Sequence, residues 1–217
     1  MTTAPEAALR PPSSVRRLTS PAALALTDLA GMFEDLQSAL RCCERLIDLL
    51  SEAAGRDAEP DDLALEAYWT TAVLSYARCF AVGDRGTGLT EDDVTATQLK
   101  GDLLGWHRVL LQLRARYADP TANPRESFSV GASQDDSGHA AGIAVASSRQ
   151  PLLDEVSVRQ TGALAYALSG VVDKRVVEQQ QVVYKAVAAM ARPGLDRLPL
   201  LHLTSPDAAG LGSSPGL

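Results

Sequence analysis

The stretch "LRARYADPTANPRES", residues 113–127, is where the chain changes its hydrophobic period. Before it, apolar residues recur every three or four positions, which is typical of an amphipathic helix. The two X-Pro steps, Asp119-Pro120 and Asn123-Pro124, then push the backbone out of helical geometry. The stretch therefore predicts that a helix ends near its middle, and that two arginines and a tyrosine crowd the helix tip.

Downstream, the period becomes that of β-strands. The segments "ESFSVGAS" and "AGIAVASS" flank "QDDSGHA", whose Asp, Ser and Gly residues favour a turn. We therefore predict a two-stranded hairpin over about residues 126–149. Because an isolated hairpin is only marginally stable in water, we expect this one to lie on the helices.

Three helices are predicted upstream of the hairpin. The first begins at Ser20-Pro21, where a capping hydroxyl precedes a proline at the first helical position. The second takes Asp61 or Asp62 as its cap. The third is predicted as one continuous helix that a capping box at "TEDD" opens. Its apolar stripe runs to the tip through Leu99, Leu103, Trp106, Leu110, Leu113 and Tyr117.

A fourth long helix is predicted after Asp154, and "RPGLDRLPLLHL" ends it and continues as an extended segment. Four long helices joined by polar loops favour a mainly α fold, an up-and-down four-helix bundle with a small β-hairpin insertion before the last helix. We assign this domain to residues 20–203. Residues 1–19 and 204–217 lack periodicity and are predicted to be disordered tails.

Composition limits the function classes. The chain has 217 residues, a formal charge of -7 and 46% hydrophobic residues, enough for one domain with a sizeable core. An acidic chain argues against a broad surface that coats nucleic acid, so any contact with a polyanion is expected to be local. No apolar run approaches the about 18 residues that a membrane span needs, and the first residues do not resemble a secretion signal. We therefore expect a cytoplasmic protein that does not contact a membrane.

The sequence predicts neither a metal site nor a cofactor. The three cysteines have no metal-binding spacing and are expected to be reduced core thiols. His139 and His202 stand far from acidic or thiol partners at ligand spacing. The segment "GDRGTG" is neither a Walker loop nor a dinucleotide fingerprint, so it is interpreted as a flexible loop.

The arginines at the tip of the third helix are the candidates for chemistry. An arginine can bind a phosphate in bidentate fashion, and a nearby histidine can transfer a proton when a ribose 2′-hydroxyl attacks. His107 stands seven residues before Arg114 on the same predicted face, as either a packing residue or that proton-transferring group. Two residues of the second helix, Arg78 and Glu66, allow two interpretations. Each is either a structural side chain, solvated or paired, or a contributor to the same site.

The segment "LEAYWTTAVLSYARCF", followed by "HRVLLQLRARYADPTANPRESFSV", resembles the HEPN superfamily (higher eukaryotes and prokaryotes nucleotide-binding), especially its abortive-infection-like branches. The resemblance covers about residues 60–130. It implies a four-helix bundle, and many such proteins are metal-independent RNases. Their signature is an Arg followed four to six residues later by a His near the end of the third major helix, often within Arg-Asn-Lys-x-x-Ala-His.

The resemblance matches Arg114 to the signature Arg, Arg116 to the basic third position and Ala118 to the small residue. Asp119 stands where the His is expected, and a carboxylate with a reference pKa of about 3.9 carries no proton to donate at neutral pH. Its charge would also repel a phosphate. The candidate catalytic residues are Arg114, His107 and Asp119. The candidate nucleotide-binding or RNA-binding residues are Arg78, Arg116, Tyr117, Asn123 and Glu66.

Two functions of different class follow. The first is an interaction or regulatory protein, a HEPN-like bundle with a degenerate site that binds a partner protein, a nucleotide or RNA without cleavage. The second is a metal-independent endoribonuclease, by resemblance a toxin or a component of phage defence. The missing histidine favours the first. Because the family builds its site across a twofold interface, we expect a homodimer, with an antitoxin as one possible protein partner.

Overall fold

The computed structural model describes residues 15–58, 60–81, 86–121, 123, 126–149 and 153–201. The described chain is mainly helical, with one two-stranded antiparallel hairpin before the last long helix. Its elements, in chain order, are α1 (Pro21–Gly55), α2 (Asp62–Arg78), α3 (Glu91–Ala96), α4 (Leu103–Ala118), β1 (Glu126–Gln134), β2 (Ala140–Arg149), α5 (Glu155–Ala188) and α6 (Arg192–Asp196).

The starts of α1 and α2 are confirmed at the predicted caps. The hydroxyl of Ser20 accepts a hydrogen bond of 3.3 Å from the N–H of Ala23, and Pro21 follows it. The carboxylate of Asp61 accepts one of 3.1 Å from the N–H of Ala64. Each cap satisfies an N–H that has no partner inside the helix.

The prediction of one continuous third helix is wrong, because α3 and α4 are separate. The capping box is present, since the N–H and hydroxyl of Thr90 donate to the carboxylate of Asp93 at 2.9 and 3.2 Å. However, Gln98 and Gly101 have φ angles of 55° and 106°, which a right-handed helix does not contain. Asp102 then caps α4 as a new helix.

The two longest helices, α1 and α5, pack against each other in opposite directions. Gln179, late in α5, donates a hydrogen bond of 2.8 Å to the carbonyl of Ala22 at the start of α1. Early in α5, Gly162 faces Cys43. The helix α2 packs on α1, and α4 packs on α2.

One hydrophobic core joins these helices. Its largest fully buried apolar side chains come from α1, α2, α3, α4 and α5, and they include Met32, Leu36, Leu46, Val73, Tyr76, Val94, Leu110, Val158, Leu164, Leu168 and Val172. An ion pair between Asp93 and Arg175 ties the short helix α3 to α5. None of the described helices combines the length and the apolarity that crossing a bilayer would require.

The predicted extended segment after the last long helix pairs with the chain just before α1. The N–H of Leu201 donates to the carbonyl of Val15, and the N–H of Arg17 donates to the carbonyl of Pro199, both at 2.8 Å. The predicted N-terminal tail thus contains residues, among 15–19, that pair with the segment after the last long helix. The rest of the two predicted tails, residues 1–14 and 204–217, lies outside the described residues.

The hairpin forms where it is predicted, with Glu126 opposite Arg149 and Val130 opposite Val145. The expectation that it lies on the helices is wrong, because every side chain from Ser127 to Ser148 is exposed. The physical reason is that the buried core is built from residues of the helices and of the loops that join them, and no residue of the hairpin belongs to it.

Candidate functional site at the end of α4

Five of the candidate residues lie in the last turn and a half of α4 or directly after it, and we call this region the α4 tip: Arg114, Arg116, Tyr117, Asp119 and Asn123. Both arginines are exposed. Residues two apart on a helix do not face each other, so Arg114 and Arg116 point to different sides of α4. One phosphate would therefore meet one of these guanidinium groups, and a chain of phosphates would be needed to engage both.

Asp119 forms the turn that ends α4. Its carboxylate oxygen Oδ1 accepts hydrogen bonds from the N–H of Thr121 at 2.8 Å and from the hydroxyl of Thr121 at 2.7 Å. These bonds, the hydroxyl first, lower the pKa of Asp119. At the position where the resembled family has its histidine, this chain thus holds an ionised, hydrogen-bonded carboxylate that has no proton to give.

Tyr117 anchors the α4 tip to α2. Its side chain is half-buried, and it lies beside Thr70 and Trp69 of α2. Burial raises the pKa of the Tyr117 hydroxyl, while Thr70 and Trp69 oppose the rise. Glu66 precedes Thr70 by one helical turn, so α2 carries Glu66 on the side that meets Tyr117. Glu66 is half-buried on the same helix as Trp69 and Thr70.

Asn123 connects the α4 tip to the hairpin. Its side-chain oxygen accepts a hydrogen bond of 3.3 Å from the N–H of Glu126, the first residue of β1. Asn123 itself is exposed. Its side chain therefore links the α4 tip to the start of β1, and it is exposed to a ligand.

His107 is not at the α4 tip. It is only 2% exposed, and its Nδ1 shares a hydrogen bond of 2.8 Å with the hydroxyl of Tyr76. The ring of Phe80 packs against it with 4.4 Å between ring centroids. Burial lowers the pKa of His107, so the imidazole is neutral at pH 7. Seven residues of helix place it about 10 Å along the axis from Arg114. The two residues are not brought together.

Arg78 also lies elsewhere. Its guanidinium donates to Oδ1 of Asp35 on α1, at 2.6 Å from Nη2 and 2.9 Å from Nε, and to the hydroxyl of Ser75 at 3.0 Å. Nine residues of α2 separate Arg78 from Trp69, which is about 13 Å along the helix. Arg78 therefore neutralises the nearly buried carboxylate of Asp35. This pair lies at the end of α2 that is farther from Tyr117.

Thr121 is the residue of this region that the sequence interpretation did not include. A signal for it exists, because Asp, Asn, Ser and Thr side chains commonly bond to the backbone two residues away in turns, and Thr121 follows Asp119 by two. The partner of His107 had no such signal, since Tyr76 is 31 residues away along the chain.

Within the described residues, no group of three or more His, Cys, Asp or Glu side chains is arranged to hold a metal ion. Comparisons with protein-family models, with curated proteins and with solved structures find no match to this chain. The α4 tip is therefore the candidate functional site of the described chain.

Proposed function

We propose that this protein is a HEPN-like four-helix bundle with a degenerate site, and that its α4 tip binds a nucleotide, RNA or a protein partner without cleaving RNA. The observation that carries the proposal is the pair Asp119 and His107. The carboxylate occupies the position of the expected histidine and is bonded to Thr121. The nearest imidazole along α4 is buried against Tyr76.

The packing of the helices supports the bundle part of the proposal. Among the long helices, α1 packs against both α2 and α5, and α2 packs against α4. Packing between helices that follow one another in the chain supports an up-and-down arrangement.

The exposed guanidinium group of Arg114 supports binding over catalysis at the α4 tip. Arg114 offers an exposed guanidinium suited to phosphate, which needs no proton transfer to bind. The carboxyl end of a helix and the carboxylate of Asp119 both carry negative charge, and both weaken phosphate binding. We therefore propose a modest affinity, of the kind a regulatory module uses.

The proposed setting is the cytoplasm, within a toxin–antitoxin pair or phage defence. Cys42, Cys43 and Cys79 are buried and form no disulfide within the described residues, which suits a reducing compartment. A homodimer remains part of the proposal. Its interface must use residues other than the stripes of α2 and α4, because Trp69 and Leu110 are buried within one chain.

The test uses a labelled single-stranded RNA with a chelator present, and it measures binding by fluorescence anisotropy and cleavage on a gel. We expect the wild type to bind without cutting. Arg114→Ala should weaken binding about tenfold, as loss of a charge-assisted hydrogen bond implies. Arg192→Ala, which removes an exposed arginine of α6, is the matched control and should bind like the wild type.

Two substitutions at Asp119 separate charge from chemistry. Asp119→Asn removes the repelling charge, so it should strengthen binding and leave cleavage absent. Asp119→His adds an imidazole with a pKa of about 6.5, so it should give weak cleavage that Arg114→Ala abolishes. Cleavage by the wild type would instead support the alternative function, a metal-independent endoribonuclease. If no variant binds RNA or a nucleotide, the phosphate-binding proposal fails.

A further inference from the structure

A groove of about 400 Å³ lies between the two longest helices, α1 and α5. Its volume is within the range of small-molecule sites, about 300 to 1,000 Å³. Six residues of these two helices line it: Phe33, Tyr166, Ala167, Ser169, Gly170 and Asp173. None of them belongs to the α4 tip, so the groove is a separate candidate site.

Gly170 keeps the middle of the groove open. Tyr166, Gly170 and Asp173 follow one another at spacings of four and three residues, so they share one face of α5. A Cβ added at Gly170 would meet no atom within 4 Å, whereas one added at Gly162 would lie 3.3 Å from the Cβ of Cys43. Helix packing therefore explains Gly162 but not Gly170, although glycine destabilises a helix interior relative to alanine. Open space above a backbone allows the close approach of a ligand.

The side chains of the groove suit a positive charge that carries apolar substituents. Aromatic rings such as those of Phe33 and Tyr166 have negative potential on their faces, which attracts cations. Within the described residues, the exposed carboxylate of Asp173 has neither an ion pair nor a hydrogen bond. The whole chain is acidic, with a formal charge of -7, and this field also favours cations.

We propose that this groove binds a small organic cation, an ammonium group with alkyl substituents. Asp173 supplies the opposite charge, the rings of Phe33 and Tyr166 contact the alkyl groups, and the backbone at Gly170 forms the floor. The hydroxyl of Ser169 donates to the carbonyl of Tyr166 at 2.7 Å, so its proton is not available to an anion. Because the groove is open to solvent, the dissociation constant should lie in the millimolar range.

The first experiment compares choline with dimethylbutanol, its uncharged isostere, in which a carbon atom replaces the nitrogen. Backbone amide NMR of the full chain follows each titration at constant ionic strength. The amides of residues 166–173 should shift with choline until the site is saturated. Dimethylbutanol should bind at least about fivefold more weakly, because it keeps the shape of choline and lacks its charge.

Two results of this comparison would overturn the proposal. Equal binding of choline and dimethylbutanol would show that the groove does not recognise charge. The absence of a saturable shift with choline would show that the groove does not bind the cation. The second result includes the case in which residues of this chain outside the described ranges fill the groove.

Two pairs of variants locate the site on α5. Asp173→Asn should weaken choline binding about threefold, as loss of an exposed ion pair implies. Glu178→Gln removes the same charge from an exposed position of α5 outside the groove, and it should bind like the wild type. Tyr166→Ala should weaken binding about fivefold. Its control is Tyr184→Ala, because the two tyrosines are 70% and 69% exposed and only Tyr166 lines the groove.

Gly170→Leu tests the open space directly. The added side chain should fill the groove and abolish choline binding. The helix should remain intact, because leucine favours helices and a Cβ at this position meets no atom within 4 Å. Circular dichroism checks the helical content of each variant. Choline binding by Gly170→Leu at the strength of the wild type would overturn the proposal, as would equal effects of Asp173→Asn and Glu178→Gln.

Discussion

His107 shows how burial decides the role of one side chain. Its imidazole is enclosed by Tyr76 and Phe80, and it accepts or donates one short hydrogen bond inside the core. Burial is the largest cause of its lowered pKa, Glu91 opposes the change, and Arg108 adds to it. A neutral, hydrogen-bonded histidine of this kind stabilises the contact between α2 and α4.

We predict that this histidine makes the protein less stable in acid. The unfolded chain binds a proton near the ordinary pKa of 6.5, whereas the folded chain binds it only at lower pH. The stabilisation that the neutral His107 provides is therefore complete above the ordinary pKa of 6.5. It is lost as the pH falls through the lower pKa of the folded chain. Urea unfolding of the wild type and of His107→Gln, between about pH 7.5 and about pH 5, should show the difference between them shrinking.

His139→Gln is the control, because it removes an imidazole from the exposed hairpin turn. Its unfolding free energy should track that of the wild type at each pH. Parallel profiles for wild type and His107→Gln would contradict the assignment of acid sensitivity to His107.

At the scale of elements, α3 and α4 are separated by backbone conformation and joined by side chains. Gly101 adopts a φ of 106°, a region that residues with a Cβ rarely occupy. Across the break, the guanidinium of Arg108 donates to both carboxylate oxygens of Glu91 at 3.0 and 2.9 Å. The Arg108–Glu91 pair is exposed and contributes little to stability. The conformation of Gly101 and the cap at Asp102 therefore determine the break between α3 and α4.

The same substitution should therefore have opposite effects at two glycines. Gly101→Ala places a Cβ on a left-handed backbone and should lower the free energy of unfolding by about 1 kcal/mol or more. Gly170→Ala lies in α5, where an added Cβ meets nothing within 4 Å, and should raise it by about 0.8 to 1 kcal/mol. Denaturant midpoints of the two variants and the wild type provide the measurement. A stable Gly101→Ala would mean that the break does not need glycine.

At the scale of the whole molecule, one continuous core holds all the long helices together. The buried residues of α1, α2, α4 and α5 form a single cluster, and Leu110 is the only fully buried leucine that α4 contributes within the described residues. The hairpin lies outside this cluster. Loss of packing in the core should therefore affect the whole helical body, whereas changes in the hairpin should not.

Leu110→Ala tests this organisation. It leaves a cavity where the side chain is fully buried, and it should cost about 2 to 5 kcal/mol of unfolding free energy. Val109→Ala is the matched neighbour, because Val109 is 38% exposed, and it should cost much less. Urea unfolding followed by circular dichroism measures both. Equal effects of the two substitutions would show that the inward face of α4 is not the one that contains Leu110.

The sequence identified part of the candidate site and missed its organisation. Arg114, Arg116, Tyr117 and Asp119 could be placed at a helix tip because the apolar stripe and the Asp-Pro step lie within the same few turns. The separation of His107 and Arg78 from that tip could not be predicted. It depends on Tyr76 and Asp35, which are 31 and 43 residues away from them along the chain.

What the sequence alone determined is local: the caps at Ser20 and Asp61, the capping box at Thr90, and the presence of the hairpin. Each depends on groups within a few residues of one another, so the backbone satisfies its hydrogen bonds in the same way wherever the segment lies. The tertiary structure decided which faces are buried, that the described residues leave the hairpin exposed, and that His107 is enclosed. Burial depends on which distant segments of the chain pack against each other. A local sequence pattern does not specify those contacts.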